Sequence, residues 1–402
     1  MSAATSRWAA SGLAWLTGQP DGPPDFSRTG ILDRAEGVAA TLREATGIAV
    51  DVPTLLSGRA ALLGLRRRGR VSAGGASRLL PTADGWCAIT LSRDDDLDAV
   101  PALLLSDDQI TDPWPAIARW AAARPAAEVA ERARLLDLPA AVLGETIPAP
   151  ALVRATGPTN RVRDLSDLLV ADLSSMWAGP LCGRLLAQAG AVVVKVESLR
   201  RTDGTRRGHP AFFDWMNSGK LSYAIDFDNG GVRELLTAAD VVIEGSRPAA
   251  LARRGLGPDD VGARPGRVWL RITGHGADPP HANLAAFGDD AAVSGGLVGG
   301  TLADPVFCGD AIADPLTGLQ AAAEVADSLS RGGGELIEVP MAAVAAGYAA
   351  MPTYPPRSRC PALPPRPPPP TIPGPALGAD NHQVERIIAE RLRAYAKNIR
   401  PC

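Results

Sequence analysis

The stretch "LLVADLSSMWAGPLCGRLLAQAGAVVVKVES" (168–198) decides the fold. Residues 168–174 read as a strand, 179–190 as a glycine-punctuated helix and 191–198 as the next strand. The run "AVVVKV" is too apolar for a strand with one wet face and implies burial on both, as in a parallel sheet flanked by helices. The unit then repeats through "LSYAIDF" (221–227), "GVRELLTAA" (231–239), "DVVIEG" (240–245), "PAALARRGL" (248–256) and "RVWLRITG" (267–274). Strand, helix, strand in this succession builds an α/β, Rossmann-like, doubly wound parallel sheet. No G-x-G-x-x-G follows the first strand, so the dinucleotide fingerprint does not apply.

The composition changes after "VPMAAVAAGYAA" (339–350). The segment "MPTYPPRSRCPALPPRPPPPTIPGPALG" is dominated by proline, which removes backbone donors and fixes φ, so it is expected to run extended as a linker over 351–375. The region 376–402 carries "NHQVERIIAERLRAYAKN" (381–398), with apolar residues at helical spacing, and is expected to be an amphipathic terminal helix. Towards the front, "SRLLPTADGWCAITLSRDDD" (77–96) reads as two strands joined by an Ala-Asp-Gly turn and followed by an acidic loop. The Ala/Arg-rich stretch 113–145 reads as helical. Residues 70–150 are thus expected to form a smaller α/β domain. Within 1–69, "SGLAWLTGQPDGPPD" (11–25) faintly echoes "SGGLVGGTLADPVFCGD" (294–310), as a diverged duplication would.

Composition narrows the function. The chain has 402 residues, 46% hydrophobic and 21% charged, with a formal charge of −3. That is globular composition, and no Lys/Arg run interleaved with aromatics supplies the footprint of a nucleic-acid binder. No apolar run reaches the ~18 residues that span a bilayer, so a cytoplasmic location is expected by default. The cysteines Cys87, Cys182, Cys308, Cys360 and Cys402 lack C-x-x-C spacing, so neither a disulfide framework nor a metal site is expected. All but Lys195, Lys220 and Lys397 of the 41 basic residues are arginine, so a retained lysine asks what a compact ammonium does there that a guanidinium does not.

Four pieces in order, "VADLSSMWAGPLCGRLLAQAGAVVVKVES", "NSGKLSYAIDF", "ADVVIEGSRPAALARRGLG" and "DPLTGLQAAAEVADSLSRGGGELIEVPM", resemble the large domain of family III CoA-transferases (CaiB/BaiF type), the group that includes formyl-CoA transferase, carnitine CoA-transferase and α-methylacyl-CoA racemase. The resemblance spans about 160–350, and "ALGADNHQVERII" (376–388) is similar to that family's C-terminal end. The order departs from the family's: the small domain stands in front, where "SAGGASRLLPTADGWCAITL" resembles its glycine loop and first strands, and 1–69 reads as a degenerate large-domain-like segment.

The resemblance implies a site. Asp314 fits the first position of the family's Asp-x-x-small-Gly motif in "DPLTG", whereas Asp310 does not. Read without the resemblance, Asp314 is a helix N-cap with Pro315 at the first helical position. The two readings agree, because a carboxylate at a helix N-terminus is favoured as the anion that a nucleophile must be. Implied chemistry runs through an aspartyl mixed anhydride and an aspartyl-CoA thioester, with coenzyme A as co-substrate and no permanently bound cofactor. Gly74 and Gly75 are either an ordinary turn or the loop over the acyl site, where amide N–H groups meet developing oxyanions. Lys195, Asn217 and Lys220 of "NSGK", and Arg247 are expected at the rim of the sheet as CoA contacts, against a plain reading as surface charges. Implied partners are an acyl-CoA, a small carboxylic acid and a second copy in a homodimer. Asp289 in "FGDDAAVSGG" stands where the racemase branch has histidine, which leaves an acyl-CoA racemase as a rival, and a non-catalytic CoA-binding partner subunit as another.

Overall fold

The computed structural model describes residues 3–106, 111–162, 164–228, 230–245 and 247–399; Cys402 lies outside them. The chain opens with helices α1 (Ala3–Ala10), α2 (Leu13–Leu16), α3 (Gly30–Thr46) and α4 (Val52–Leu62). Next come β1 (Ser77–Pro81), β2 (Trp86–Thr90), α5 (Asp94–Asp98), α6 (Val100–Leu104), α7 (Pro113–Ala122), α8 (Ala126–Leu135) and β3 (Ala140–Val142). These strands form a three-stranded antiparallel sheet in the order β1-β2-β3. It packs its own apolar cluster, including Ile89, Leu103, Ile117 and Val129, under helices α6 to α8. Two expectations are corrected here. The acidic run is a helical turn, held by Asp96 accepting the backbone N–H of Ser92 and Arg93. The stretch 113–145 is two helices interrupted before Pro125, and its last part pairs as β3.

The larger sheet comprises β4 (Leu152–Ala155), β5 (Leu169–Asp172), β6 (Val192–Ser198), β7 (Leu221–Ile225), β8 (Val241–Glu244) and β9 (Val268–Thr273), completed by β12 below. Interleaved are α9 (Ala178–Gln188), α10 (Pro210–Asn217), α11 (Gly231–Ala238), α12 (Pro248–Ala252) and α13 (Gly288–Ser294). A hairpin β10 (Val298–Gly300) and β11 (Pro305–Phe307) leads into α14 (Ala313–Ser330), β12 (Glu335–Pro340), α15 (Met341–Ala349) and, after the proline segment, α16 (Asn381–Ile399). The strand order is β4-β12-β9-β8-β5-β6-β7, parallel throughout except for β4. The chain winds one way from β5 through β6 to β7 and the other way through β8, β9 and β12. The winding therefore reverses between β5 and β8, where sheets of this kind open a ligand crevice at their C-terminal ends. Both faces are covered, which is why strands such as 192–198 carry valine on both sides.

The front of the chain shares the core of the large sheet. Trp8, Leu32, Leu42 and Leu56 lie in one cluster with Leu181, Leu270, Leu316 and Ile337. Helix α3 packs along α14, α4 touches α14, and α15 touches α3. That reciprocity matches the sequence, since "GIAVDVP" (47–53) parallels "GELIEVP" (334–340), and Thr29-Gly30 parallel Thr317-Gly318. The echo therefore extends across α3–α4 and α14–α15. The proline segment lies against α1 and α2: Leu363 donates its N–H to the Ala9 carbonyl at 2.9 Å, and Phe26 donates to that of Pro356 at 2.8 Å. Helix α16 then covers the opposite face through Val384 and Ile388.

Candidate active site

Asp314 is the second residue of α14 rather than its N-cap, which is Ile312. Its carboxylate is half-buried and turns away from its own helix to accept the N–H of Gly288 at Oδ2, 3.0 Å away. Gly288 begins α13 and has to be glycine: a Cβ there would collide with the Ala311 carbonyl and with Asp314 Oδ2. Asp289 accepts the N–H of Ala311 at 3.0 Å, locking the chain just ahead of α14 to the start of α13. Buried Asp290 accepts from Phe287 N–H and Thr90 Oγ1, each at 3.0 Å, tying α13 to the small sheet.

One cation faces these carboxylates. Arg59, on α4, donates Nη1 to both oxygens of buried Asp310 at 2.7 and 2.8 Å. Its Cζ lies 5.4 Å from the ring of Trp177 and 5.4 Å from that of Phe212, so two aromatic side chains hold it. Trp177 sits on the loop leaving β5, which places this cluster beside the reversal point of the sheet. Burial pushes the Asp314 carboxyl up to about 7; Arg59 pulls it down, Asp289 and Asp310 push it up, and the Gly288 N–H pulls it down. Burial likewise raises Asp289 to about 6 and Asp290 to about 8.

The glycine loop reaches the same place. Gly75 closes a turn at φ +91° with its N–H on the Ser72 carbonyl at 2.9 Å, and Arg59 Nη2 lies 3.9 Å from where a Cβ on Gly74 would stand. Ser77 Oγ contacts Asp289 at 3.3 Å. Gly74 thus lies beside Arg59 and Gly75 beside Arg68, while Ser77 ties the strand after the loop to Asp289, the neighbour of the glycine that holds Asp314.

The other expected residues do not join them. Lys195 is fully buried within β6, paired with Asp203 at 2.7 Å and bonded to the Ser174 carbonyl. Lys220 is buried against Asp172 at 2.9 Å, the Pro180 carbonyl and Asn217 Oδ1, while Asn217 donates to the Phe213 carbonyl. The expectation of rim cations is corrected: these ammonium groups neutralise interior carboxylates, a geometry in which a compact, desolvated charge fits where a guanidinium would not. Arg247 holds Asp137 at 2.5 and 2.7 Å and so links the loop after β8 to the small domain. His275 is partly buried and held neutral, its pKa lowered to about 4 by desolvation. A separate surface groove of about 280 Å³, lined by Phe227, Asp228, Gly230, Arg233, Arg253, Arg254 and Leu256, does not include the carboxylate cluster. Among the described residues no group of His, Cys, Asp and Glu is arranged to hold a metal, and no helix is long and apolar enough to cross a membrane.

Residues 165–358 match the model of CoA-transferase family III. The likeness to CoA-transferase family III thus coincides with the large-sheet region. Relatives of the family III region include the succinyl-CoA–D-citramalate CoA-transferase of Chloroflexus aurantiacus, 33% identical over 147 residues covering 34% of this chain and 37% of that protein. Another is the succinate–glutarate CoA-transferase of Agrobacterium fabrum, 32% identical over 197 residues, 43% of this chain and 49% of that one. The human succinyl-CoA:glutarate CoA-transferase is 32% identical over 42% of each chain. A CAIB/BAIF family protein from Brucella suis superimposes with a TM-score of 0.42 at 29% identity, over 47% of this chain and 56% of that one. The chain thus spans about a third to a half of the length of the curated relatives it matches. Arg59, Trp177, Phe212 and Gly288 were not singled out as site residues from the sequence; Arg59 is one arginine among many, and only the fold brings it to Asp310.

Proposed function

We propose that this chain is a CoA-transferase that moves CoA from an acyl-CoA to a carboxylic acid, with Asp314 as nucleophile. The observation supporting this reading is a half-buried carboxylate at the start of α14, turned off its own helix and bonded to one backbone N–H, that of Gly288. Ionised Asp314 attacks the thioester carbonyl, forming an aspartyl mixed anhydride and releasing CoA thiolate. The thiolate attacks the aspartyl carbonyl, giving aspartyl-CoA thioester and the donor's free carboxylate. The acceptor carboxylate displaces CoA to form a second mixed anhydride, and the thiolate then attacks the acceptor's acyl carbon, releasing its CoA ester and restoring Asp314. Every step exchanges one activated acyl bond for another, so no free energy of hydrolysis is lost. The names of the relatives suggest short dicarboxylates as donor and acceptor. A homodimer in the cytoplasm, where CoA esters and reduced thiols coexist, completes the proposal; the described cysteines Cys87, Cys182, Cys308 and Cys360 are free.

The test incubates the protein with succinyl-CoA, adds hydroxylamine, and maps the product by mass spectrometry. A hydroxamate on Asp314, with transfer to glutarate abolished in Asp314→Ala, is the expected outcome. Equal transfer rates in parent and variant would reject the assignment, and transfer without any covalent mark would reject the mechanism.

A further inference from the structure

Two cations meet at the glycine loop without an acid between them. Val71 forms backbone bridges with both Arg68 and Arg78, so the chain folds these arginines together beside residues 72–76. Arg78, half-buried on β1, donates Nη1 to the Gly75 carbonyl at 2.8 Å, and its guanidinium lies 4.7 Å from the centre of the Trp114 ring. Arg68 comes to the same glycine from the segment after α4: a Cβ on Gly75 would stand 2.9 Å from its Nη1. Arg59, beside Gly74, already has Asp310 as its counter-ion. Among the described residues no carboxylate is hydrogen-bonded to or ion-paired with Arg68 or Arg78. Burial and the nearby charge of Arg68 lower the Arg78 pKa, with distant Asp112 opposing them. Two guanidiniums drawn together repel each other until an anion enters, and their N–H forks fit the paired oxygens of a carboxylate.

We infer that Arg68 and Arg78 form a carboxylate site that takes the second, unreacting carboxylate of a dicarboxylic acid acceptor. The inference rests on the reading of this chain as a CoA-transferase with Asp314 as nucleophile. Position selects a carboxylate over the phosphates of CoA. Ser77, the residue before Arg78, holds Oγ 3.3 Å from Asp289 Oδ2, and Gly288, the residue before Asp289, donates its N–H to Asp314. The loop therefore adjoins the acyl end of the reaction. The whole pantetheine arm separates the phosphates of CoA from its sulfur, so a thioester reacting at Asp314 keeps them away from this loop. A short dicarboxylate has its second charge only a few bonds from the first. Gly75 leaves free the room that a side chain would take from Arg68.

Glutarate and pentanoate, equal in chain length and different by one carboxylate, test this, with inorganic phosphate as a third probe. Isothermal titration calorimetry on the full chain reads binding without turnover, and acceptor kcat/KM with succinyl-CoA as donor reads it with turnover. The parent is expected to favour glutarate over pentanoate by about tenfold or more, the effect of one charge-assisted hydrogen bond. Arg68→Gln and Arg78→Gln should each shrink that ratio, the double variant should bring it near one, and Arg78→Lys should keep part of it. The ratio decides, because a loosened fold weakens both acids alike. Arg68→Gln removes no side-chain hydrogen bond among the described residues, so it serves even where loss of the Gly75 contact keeps Arg78→Gln from folding. A ratio near one in the parent, or one unchanged in Arg68→Gln and the double variant, overturns the inference. Phosphate bound more tightly than glutarate overturns it too, by making the pair a phosphate site. A ratio that collapses as expected, with no transfer and no adduct on Asp314 in the parent, keeps the carboxylate site and refutes the transferase reading instead.

Discussion

Gly288→Ala perturbs the candidate site at its tightest point. The added Cβ would overlap the Ala311 carbonyl oxygen and Asp314 Oδ2 and stand 2.8 Å from the Ala311 carbonyl carbon. Two of these atoms are backbone held by Asp289 through the Ala311 N–H, so the side chain free to move is Asp314 itself. Turning it aside gives up the 3.0 Å bond from the Gly288 N–H. A hydrogen bond to a charged group contributes about 1.5–3 kcal/mol, so transfer should fall by about 10- to 150-fold. Overpacking adds a stability loss of about 1–3 kcal/mol. The assay is steady-state transfer from succinyl-CoA to glutarate at pH 8, with folding followed by circular dichroism and urea titration. Gly37→Ala is the matched control, because a Cβ at that exposed helical position meets nothing within 4 Å, and it should be neutral or stabilising by about 0.5–1 kcal/mol. A folded Gly288→Ala protein that transfers within twofold of the parent would refute the placement of the nucleophile.

The raised Asp314 carboxyl predicts that adduct formation climbs through about pH 7, from about a tenth ionised at pH 6 to about nine-tenths at pH 8; single-turnover trapping that is flat over this range would contradict it. Asp290, pushed up to about 8, favours the protonated fold. Its contribution to stability is whole below about pH 4 and is lost as pH rises towards 8. Asp290→Asn keeps an oxygen for Phe287 and Thr90, so its urea midpoint should gain on the parent between pH 5 and pH 8 by the equivalent of roughly 1–4 kcal/mol; a gap that does not change with pH would exclude this. Lys220→Met strands Asp172 in the interior and should cost about 3–5 kcal/mol in urea unfolding, whereas a loss below about 1 kcal/mol would show that the pair is dispensable.

The large sheet was legible because its strands are short, apolar and regularly spaced, and β5 to β9 fall within a few residues of the expected bounds. Strand β4 was not legible: its four residues are all exposed, so no burial pattern marks them, and it exists because β12 offers an open edge. The site divides in the same way. Asp314 and the glycine pair carry local patterns, whereas Arg59 acquires its place from helix packing across the repeat, which no local spacing encodes. The lysines were misjudged for a physical reason. Strand ends at the rim and strand centres share the same β-rich text, and only the partners Asp172 and Asp203 decide that these ammonium groups face inward.

The proline segment bears on how the chain tolerates cutting. Gly12, at φ +83°, sits so close to Pro365 that a side chain would have no room, and Arg206 donates to the Pro375 carbonyl at 3.0 Å. The segment is therefore a girdle fastened at one end to the turn between α1 and α2 and at the other to Arg206, just before it runs into α16, which roofs the back of the sheet. Severing it near residue 365 would cut the strap where it crosses α1 and α2 and leave α16 held to the rear face by its non-covalent contacts alone.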